Sequence, residues 1–283
     1  MKKITLLYLL LTSYILSNIN TIVSILPQQT FVKAIGGDKV NVSLMVLPGN
    51  SPHTYEPKPS QMIDIAKADL YFSIDVEFED IWLPKFQNLN TKMRMVDLAD
   101  GITKMNMAKA HDDHDHNEHA HEGQDPHIWT DPANVKIIAN NIYAALVKQD
   151  PNNESYYKNN LDAFIVEIEK TNTQIKQILS ALKESRTFMV FHPSWGYFAK
   201  AYDLEQITIE TEGKSPKPRE LVQLIKEAKA KKAKAIFTQS EFSDSAAKII
   251  AKELHIPVVK VSPLAKEWSK NLLNIAKHMA GTH

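Results

Sequence analysis

The chain has no cysteine. It can therefore form no disulfide, offer no thiolate to a metal and carry no lipid on an N-terminal cysteine. Glycine is scarce, with 8 in 283 residues, and no Gly-rich phosphate loop occurs; Gly36-Gly37 reads as a turn. An excess of charge of either sign is also absent, because 33 basic residues balance 33 acidic ones. Nothing in that balance favours nucleic acid or an anionic membrane as a partner. The apolar stretch from Ile4 to Leu16, behind Lys2-Lys3, is too short to span a bilayer permanently. Its pattern is that of an export signal, expected over residues 1–20 with cleavage near residues 17–20. An exported, cysteine-free chain points to the periplasm.

What the chain does contain is an ordinary globular composition, 43% hydrophobic and 23% charged, in a length comfortable for two domains. Apolar β-rich runs alternate with helical patterns twice. The first set comprises "TIVSILP", "VNVSLMVLP" and "DLYFSI", separated by "QQTFVKAIGG" and "PSQMIDIAKA", with Ser60 expected as N-cap of the second helix. "EDIWLPKFQNL" is expected as a helix interrupted or restarted at Pro84. The second set comprises "TFMVFHP", "LEQITIE", "KAIFTQS" and "IPVVKVSPL", again separated by helices. Between the sets, "NNESYYKNNLDAFIVEIEKTNTQIKQILSALKES" holds neither Gly nor Pro and carries apolar residues at helical spacing. The expected fold is α/β: two α/β lobes with mainly parallel sheets, joined by one long rigid helix, with the site in the cleft between them. The expected boundaries are 21–149 for the first lobe, 150–185 for the helix and 186–283 for the second lobe.

Histidine carries the chemistry. His111, His114, His116, His119 and His121 crowd a polar, acidic stretch within a loop over 108–124 that has no core-forming residue. Such an array can hold extra cations weakly and raise their local supply. Three quieter histidines lie at loops or strand ends: His53 in "PGNSPHTYEPKPSQ", His127 in "QDPHIWTDP" and His192 in "VFHPSWGYF". Neutral imidazoles from different loops suit Zn²⁺ in a tetrahedral shell, and no HExxH or thiolate pattern competes for that reading.

At "NSPHTYEPKPSQ", "DPHIWTDP", "FHPSWGYFA", "GKSPKPRELVQLI" and "IFTQSEFS" the sequence resembles the zinc-binding solute-binding proteins of ABC importers. That cluster also includes manganese binders and metal-binding adhesins. The resemblance covers essentially the whole mature chain. It implies that His53, His127 and His192 are metal ligands, that the cargo is Zn²⁺, and that a monomeric receptor docks directly on a permease with its ATPase. It implies no nucleic-acid partner and no enzymatic activity. His192 stands where the manganese relatives usually have Glu, which leans the site towards zinc.

Two positions depart from the resemblance. Ser262 stands where many relatives have an Asp ligand, and Gln239 where many have Glu. The fourth ligand is then water, a histidine of the His-rich stretch, or a displaced carboxylate such as Glu241; the first two are the favoured readings. Glu56 and Asp131 are candidates to support ligand imidazoles from behind, Asp131 being equally a candidate helix cap. Three other functions stay open at this point: a manganese or broad-specificity receptor, a three-histidine zinc hydrolase with Glu241 as base, and, on the resemblance alone, an adhesin or interaction protein.

Overall fold

The computed structural model describes residues 18–107, 123–182, 185–210 and 214–282. The five histidines from His111 to His121, and most of the expected export signal, lie outside the described residues. The first lobe runs β1 (Ile19–Val23), α1 (Leu26–Gly36), β2 (Val40–Leu44), α2 (Pro59–Lys67), β3 (Leu70–Ser73), α3 (Phe78–Leu89), β4 (Arg94–Asp97) and α4 (Pro132–Gln149). Helix α5 (Glu154–Leu179) follows. The second lobe runs β5 (Thr187–Val190), α6 (Gly196–Ala201), β6 (Glu205–Thr208), α7 (Pro218–Ala230), β7 (Ile236–Thr238), α8 (Ser245–Leu254), β8 (Val258–Lys260) and α9 (Trp268–Ala280). All described strand pairs are parallel. The two sheets have the same strand order, β2-β1-β3-β4 and β6-β5-β7-β8. Right-handed crossovers in parallel sheets put the loops that follow the strands at one edge, and there the two lobes face each other.

Strand β1 already starts at Ile19, paired with Val40, so Ile19 and Asn20 belong to the folded lobe rather than to a segment ahead of it. The repeat is also visible in local sequence. Helices α2 and α7 begin on "KPSQMIDI" and "KPRELVQL", each with Pro at its first position. In both, the third helical residue accepts from the backbone N–H of the lysine before the proline, Gln61 from Lys58 at 2.8 Å and Glu220 from Lys217 at 2.8 Å. Lys58, not Ser60, is therefore the N-cap of α2; Pro59 has no N–H to satisfy and its fixed φ suits the first turn. Helix α3 passes through Pro84 without a break, giving up only the hydrogen bond that a proline cannot donate.

Helix α5 has 26 residues, about 39 Å at 1.5 Å per residue, and is shorter than its apolar pattern suggests. Pro151–Asn153 form a separate 3-10 turn ahead of it, and it ends at Leu179. Its buried face, Tyr157, Leu161, Phe164, Ile168, Thr171, Ile175 and Leu179, repeats every three to four residues. That face packs on α1, α4 and α9. Phe31 of α1 contacts both Phe164 and Trp268, at ring separations of 5.6 and 5.7 Å, so one aromatic group binds α1, α5 and α9 together. A single apolar core consequently runs from the first sheet through α5 to one face of the second. A smaller core, built on Phe191, Ile207, Leu224 and Ile250, covers the other face of the second sheet. Among the described residues, no helix is long and apolar enough to cross a membrane.

Candidate metal site between the lobes

Seven of the eight described strands send a loop from their carboxyl end to one small region. His53 follows β2, Glu77 follows β3, Asp125 and His127 follow β4, His192 follows β5, Glu210 follows β6, Gln239, Glu241 and Phe242 follow β7, and Ser262 follows β8. The three histidines expected from the sequence thus meet. They line one cavity of about 20 Å³, with Gln239, Glu241 and Phe242 also on its wall. That is room for about one water-sized particle.

Each imidazole is held from behind by a carboxylate on its Nδ1. His53 pairs with Glu77 at 2.8 Å, His127 with Asp125 at 2.7 Å and His192 with Glu210 at 2.7 Å. An ionised carboxylate only accepts, so each Nδ1 carries the hydrogen and each Nε2 presents a lone pair. The Nε2 atoms of His53 and His192 are 3.0 Å apart. Two lone pairs cannot face each other at that distance unless a proton or a cation lies between them. Imidazoles sharing a tetrahedral Zn²⁺ at 2.0–2.1 Å would have nitrogens roughly 3.3 Å apart, close to this spacing. Among the described residues, no three His, Asp or Glu side chains already form a complete metal-holding group. The His53–His192 pair is at ligand spacing, and the His127 ring lies beside it, 5.3 Å from that of His192.

Local chemistry fixes the two deeper rings. Asp125 accepts from the His127 backbone N–H at 2.9 Å as well as from its ring. Gly196 lies so close that a Cβ there would sit 2.8 Å from Asp125 Oδ2, which makes a side chain at this position costly. Tyr197 donates to the Asp125 carbonyl at 3.0 Å and accepts from Met105 N–H at 2.9 Å. Behind His127, Trp129 donates to the Pro263 carbonyl at 2.8 Å, and Trp268 donates to the Trp129 carbonyl at 2.7 Å. These bonds tie the two lobes together at the site. The His192 ring stacks on Phe242 at 5.3 Å and 25°.

Electrostatically the three positions differ. Burial disfavours protonated His192 and, with the neighbouring imidazoles, outweighs the Glu210 hydrogen bond, so its pKa is lowered. Burial also acts against protonated His53, but the hydrogen bond and charge of Glu77, with Glu210 beyond, outweigh it and the pKa is raised. Glu77 is lowered in turn: burial opposes its ionisation, and the His53 contact more than compensates. The second oxygens of Glu77 and Glu210 are buried without a hydrogen-bond partner, leaving negative charge that a bound cation would offset.

Of the two expected supporting residues, Glu56 does not stand behind a ring, and Asp131 takes the second of its expected roles, that of a helix cap. Glu56 is exposed and faces none of the three rings in the described contacts. Asp131 caps α4 by accepting from Ala133 N–H at 2.8 Å. Glu77, Asp125 and Glu210 occupy the places behind the imidazoles instead. Local sequence does carry a trace of them: Asp125 stands two residues before His127, while Glu77 and Glu210 each sit just beyond an apolar strand, where an acid has to find a partner.

Known proteins share this architecture. The family described as ZnuA, "Zinc-uptake complex component A periplasmic", matches residues 22–282. A crystal structure of a ZnuA is 42% identical, superposes with a TM-score of 0.84, and is covered over 94% of this chain and 99% of that one. A ZnuA deletion mutant solved with zinc bound is 41% identical, with a TM-score of 0.84 over 94% and 98% of the two chains. A metal ABC transporter substrate-binding lipoprotein from Lactococcus lactis subsp. lactis (strain IL1403) is 28% identical over 85% of this chain and 77% of its own.

Proposed function

The chain belongs to the ZnuA family of metal-binding components of ABC transporters, and from that premise we propose that it captures Zn²⁺ and hands it to a zinc permease. The family is one of extracytoplasmic substrate-binding proteins, which partner a permease and its ATPase and perform no chemistry on what they carry. Its two-lobed, parallel α/β architecture is that of the ZnuA structures. In the proposed reading, His53, His127 and His192 are the metal ligands, the protein works in the periplasm as a monomer, and it docks directly on the permease.

One observation carries the reading. Two Nε2 atoms, one from each lobe, stand 3.0 Å apart with their Nδ1 atoms committed to carboxylates, a spacing that needs a proton or a cation between them. The His127 ring lines the same cavity, 5.3 Å from that of His192. Two features favour zinc over a harder cation: all three donors are imidazole nitrogens, and a relative 41% identical was solved with zinc bound. A cavity of about 20 Å³ is the size for an ion, which favours the receptor reading over the hydrolase one.

The test is a competition titration against a strong chelator, with Zn²⁺ and Mn²⁺ run in parallel, on the whole chain and on a variant lacking residues 111–122. One tight Zn²⁺ and weak Mn²⁺ in both proteins, with extra weak sites only in the whole chain, is the expected result. Equal affinities would make this a broad-specificity receptor. Loss of the tight site with the deletion would move an essential ligand into the His-rich stretch.

A further inference from the structure

The cavity wall offers oxygen donors as well as imidazoles, and most of them are already engaged. Glu77, Asp125 and Glu210 are each bound to an Nδ1. The Gln239 amide donates to the His192 carbonyl at 3.0 Å and to Ser194 Oγ at 2.8 Å, and its oxygen faces the His192 N–H at 3.4 Å. Ser51 Oγ faces the His53 backbone N–H at 3.3 Å. One carboxylate on the wall is left without an imidazole, that of Glu241. Its described contact is with Ser262, whose hydroxyl donates to Oε1 at 3.4 Å.

That contact is long for an O–H···O bond, whose usual length is about 2.7–2.8 Å. Ser262 itself is the more firmly placed partner, since its Oγ accepts from Leu264 N–H at 3.1 Å and its carbonyl accepts from Asn271 at 2.9 Å. Glu241 is half-buried, on the loop between β7 and α8. A loosely held carboxylate therefore stands at the edge of a cavity around which the other carboxylates are each bound to an imidazole.

We infer that Glu241 is the fourth ligand of the bound metal, and that Ser262 positions it. Three imidazole nitrogens and one carboxylate oxygen complete a tetrahedral shell for Zn²⁺. Ser262 cannot serve as that ligand itself, because a neutral hydroxyl is a poor match for the ion. It stands beside the carboxylate that can serve, and steadies it through a hydrogen bond, as outer-shell groups do. Glu241 thus supplies from the β7 loop the acid that the β8 loop lacks. The inference rests on the zinc-receptor reading and makes a claim of its own about the donor set.

The test is a Zn²⁺ competition titration on the full chain carrying Glu241→Gln, Glu241→Ala, Ser262→Ala, the double change Glu241→Ala with Ser262→Asp, or His192→Ala. The electronic spectrum of each Co²⁺-loaded protein is recorded alongside. Glu241→Gln and Glu241→Ala should weaken the tight site by about tenfold or more and change the Co²⁺ spectrum. Ser262→Ala should weaken it by less than Glu241→Ala, because only the positioning bond is lost. The double change should restore much of the affinity, since an Asp at 262 offers a carboxylate from the same edge of the cavity. If Glu241→Gln binds Zn²⁺ like the unaltered chain while His192→Ala does not, the inference is overturned and the receptor reading stands. A double variant as weak as Glu241→Ala would equally overturn it, by showing that the loss came from local disruption. If His192→Ala keeps the tight site, the receptor reading itself falls.

Discussion

His53 and His192 sit 3.0 Å apart at their Nε2 atoms, each backed by a glutamate, yet they belong to different environments. The His192 side chain is 10% exposed, stacked on Phe242 at the end of an inner strand of the second sheet. The His53 side chain is 27% exposed, on a long loop that leaves the edge strand of the first. One ring has its pKa lowered and the other raised. In the proposed reading the difference lets the receptor be preorganised and still open. The deep ring, its pKa lowered, would stay ready for metal, while the outer ring, its pKa raised, would hold the proton between the two Nε2 atoms before metal arrives. A divalent cation then replaces that proton, which makes capture dependent on pH.

The largest effect should come from removing the deep ring. His192→Ala should cost at least about a hundredfold in Zn²⁺ affinity, since losing merely the partner of a ligand typically costs 10–100-fold. His53→Ala should cost less, because water can enter at the exposed side. Chelator competition measures both, and a larger loss at His53 would reverse the assignment of deep and outer ligand. Next in size, Glu210→Gln should weaken binding towards the upper end of about 10–100-fold and Glu77→Gln towards the lower end. Equal losses would mean that burial does not distinguish the two lobes.

The pH dependence sharpens the same contrast. Metal needs neutral imidazoles, so affinity should begin to fall at a pH above the ordinary histidine value of about 6.5, as the raised His53 gains its proton. Glu77→Gln removes what raises it and should move that fall to lower pH. Stability without metal carries opposite contributions. His53, raised in the folded state, stabilises the fold fully below about pH 6.5, and this is lost as pH rises through its folded value. His192, lowered in the folded state, contributes nothing above about pH 6.5 and destabilises progressively as pH falls below it, because the unfolded chain takes up the proton first. Denaturation of the metal-free protein across that range, with each histidine changed to Gln, separates the two. The smallest effect on binding should come from Asp131→Ala, which removes the α4 cap: about 1 kcal/mol of stability lost and no change in metal affinity.

The three rings that meet were legible in the sequence because three histidines shared one setting, a loop or the end of an apolar strand, although any one of them alone would have said little. The alternation of strands and helices was legible for a similar reason: buried parallel strands are continuous apolar runs. Strand β4 was not, because "RMVD" has a charge at each end and two apolar residues between. Its place comes from pairing with β3. Two of the three carboxylates behind the imidazoles were invisible to spacing for a related reason. Glu77 lies 24 positions from His53 and Glu210 lies 18 from His192, and only the shared strand order brings them together. Glu56 and Asp131 drew attention through nearness in sequence, which in a parallel sheet is a poor guide to nearness at the strand ends.

The most direct measurement is an anomalous difference map at the zinc edge, from crystals of the chain lacking residues 111–122 loaded with one equivalent of Zn²⁺. A single peak about 2.0–2.1 Å from the Nε2 atoms of His53, His127 and His192 is the expected result. A peak bound elsewhere, or no ordered peak between these rings, would contradict the assignment of the cleft as the site that holds the metal.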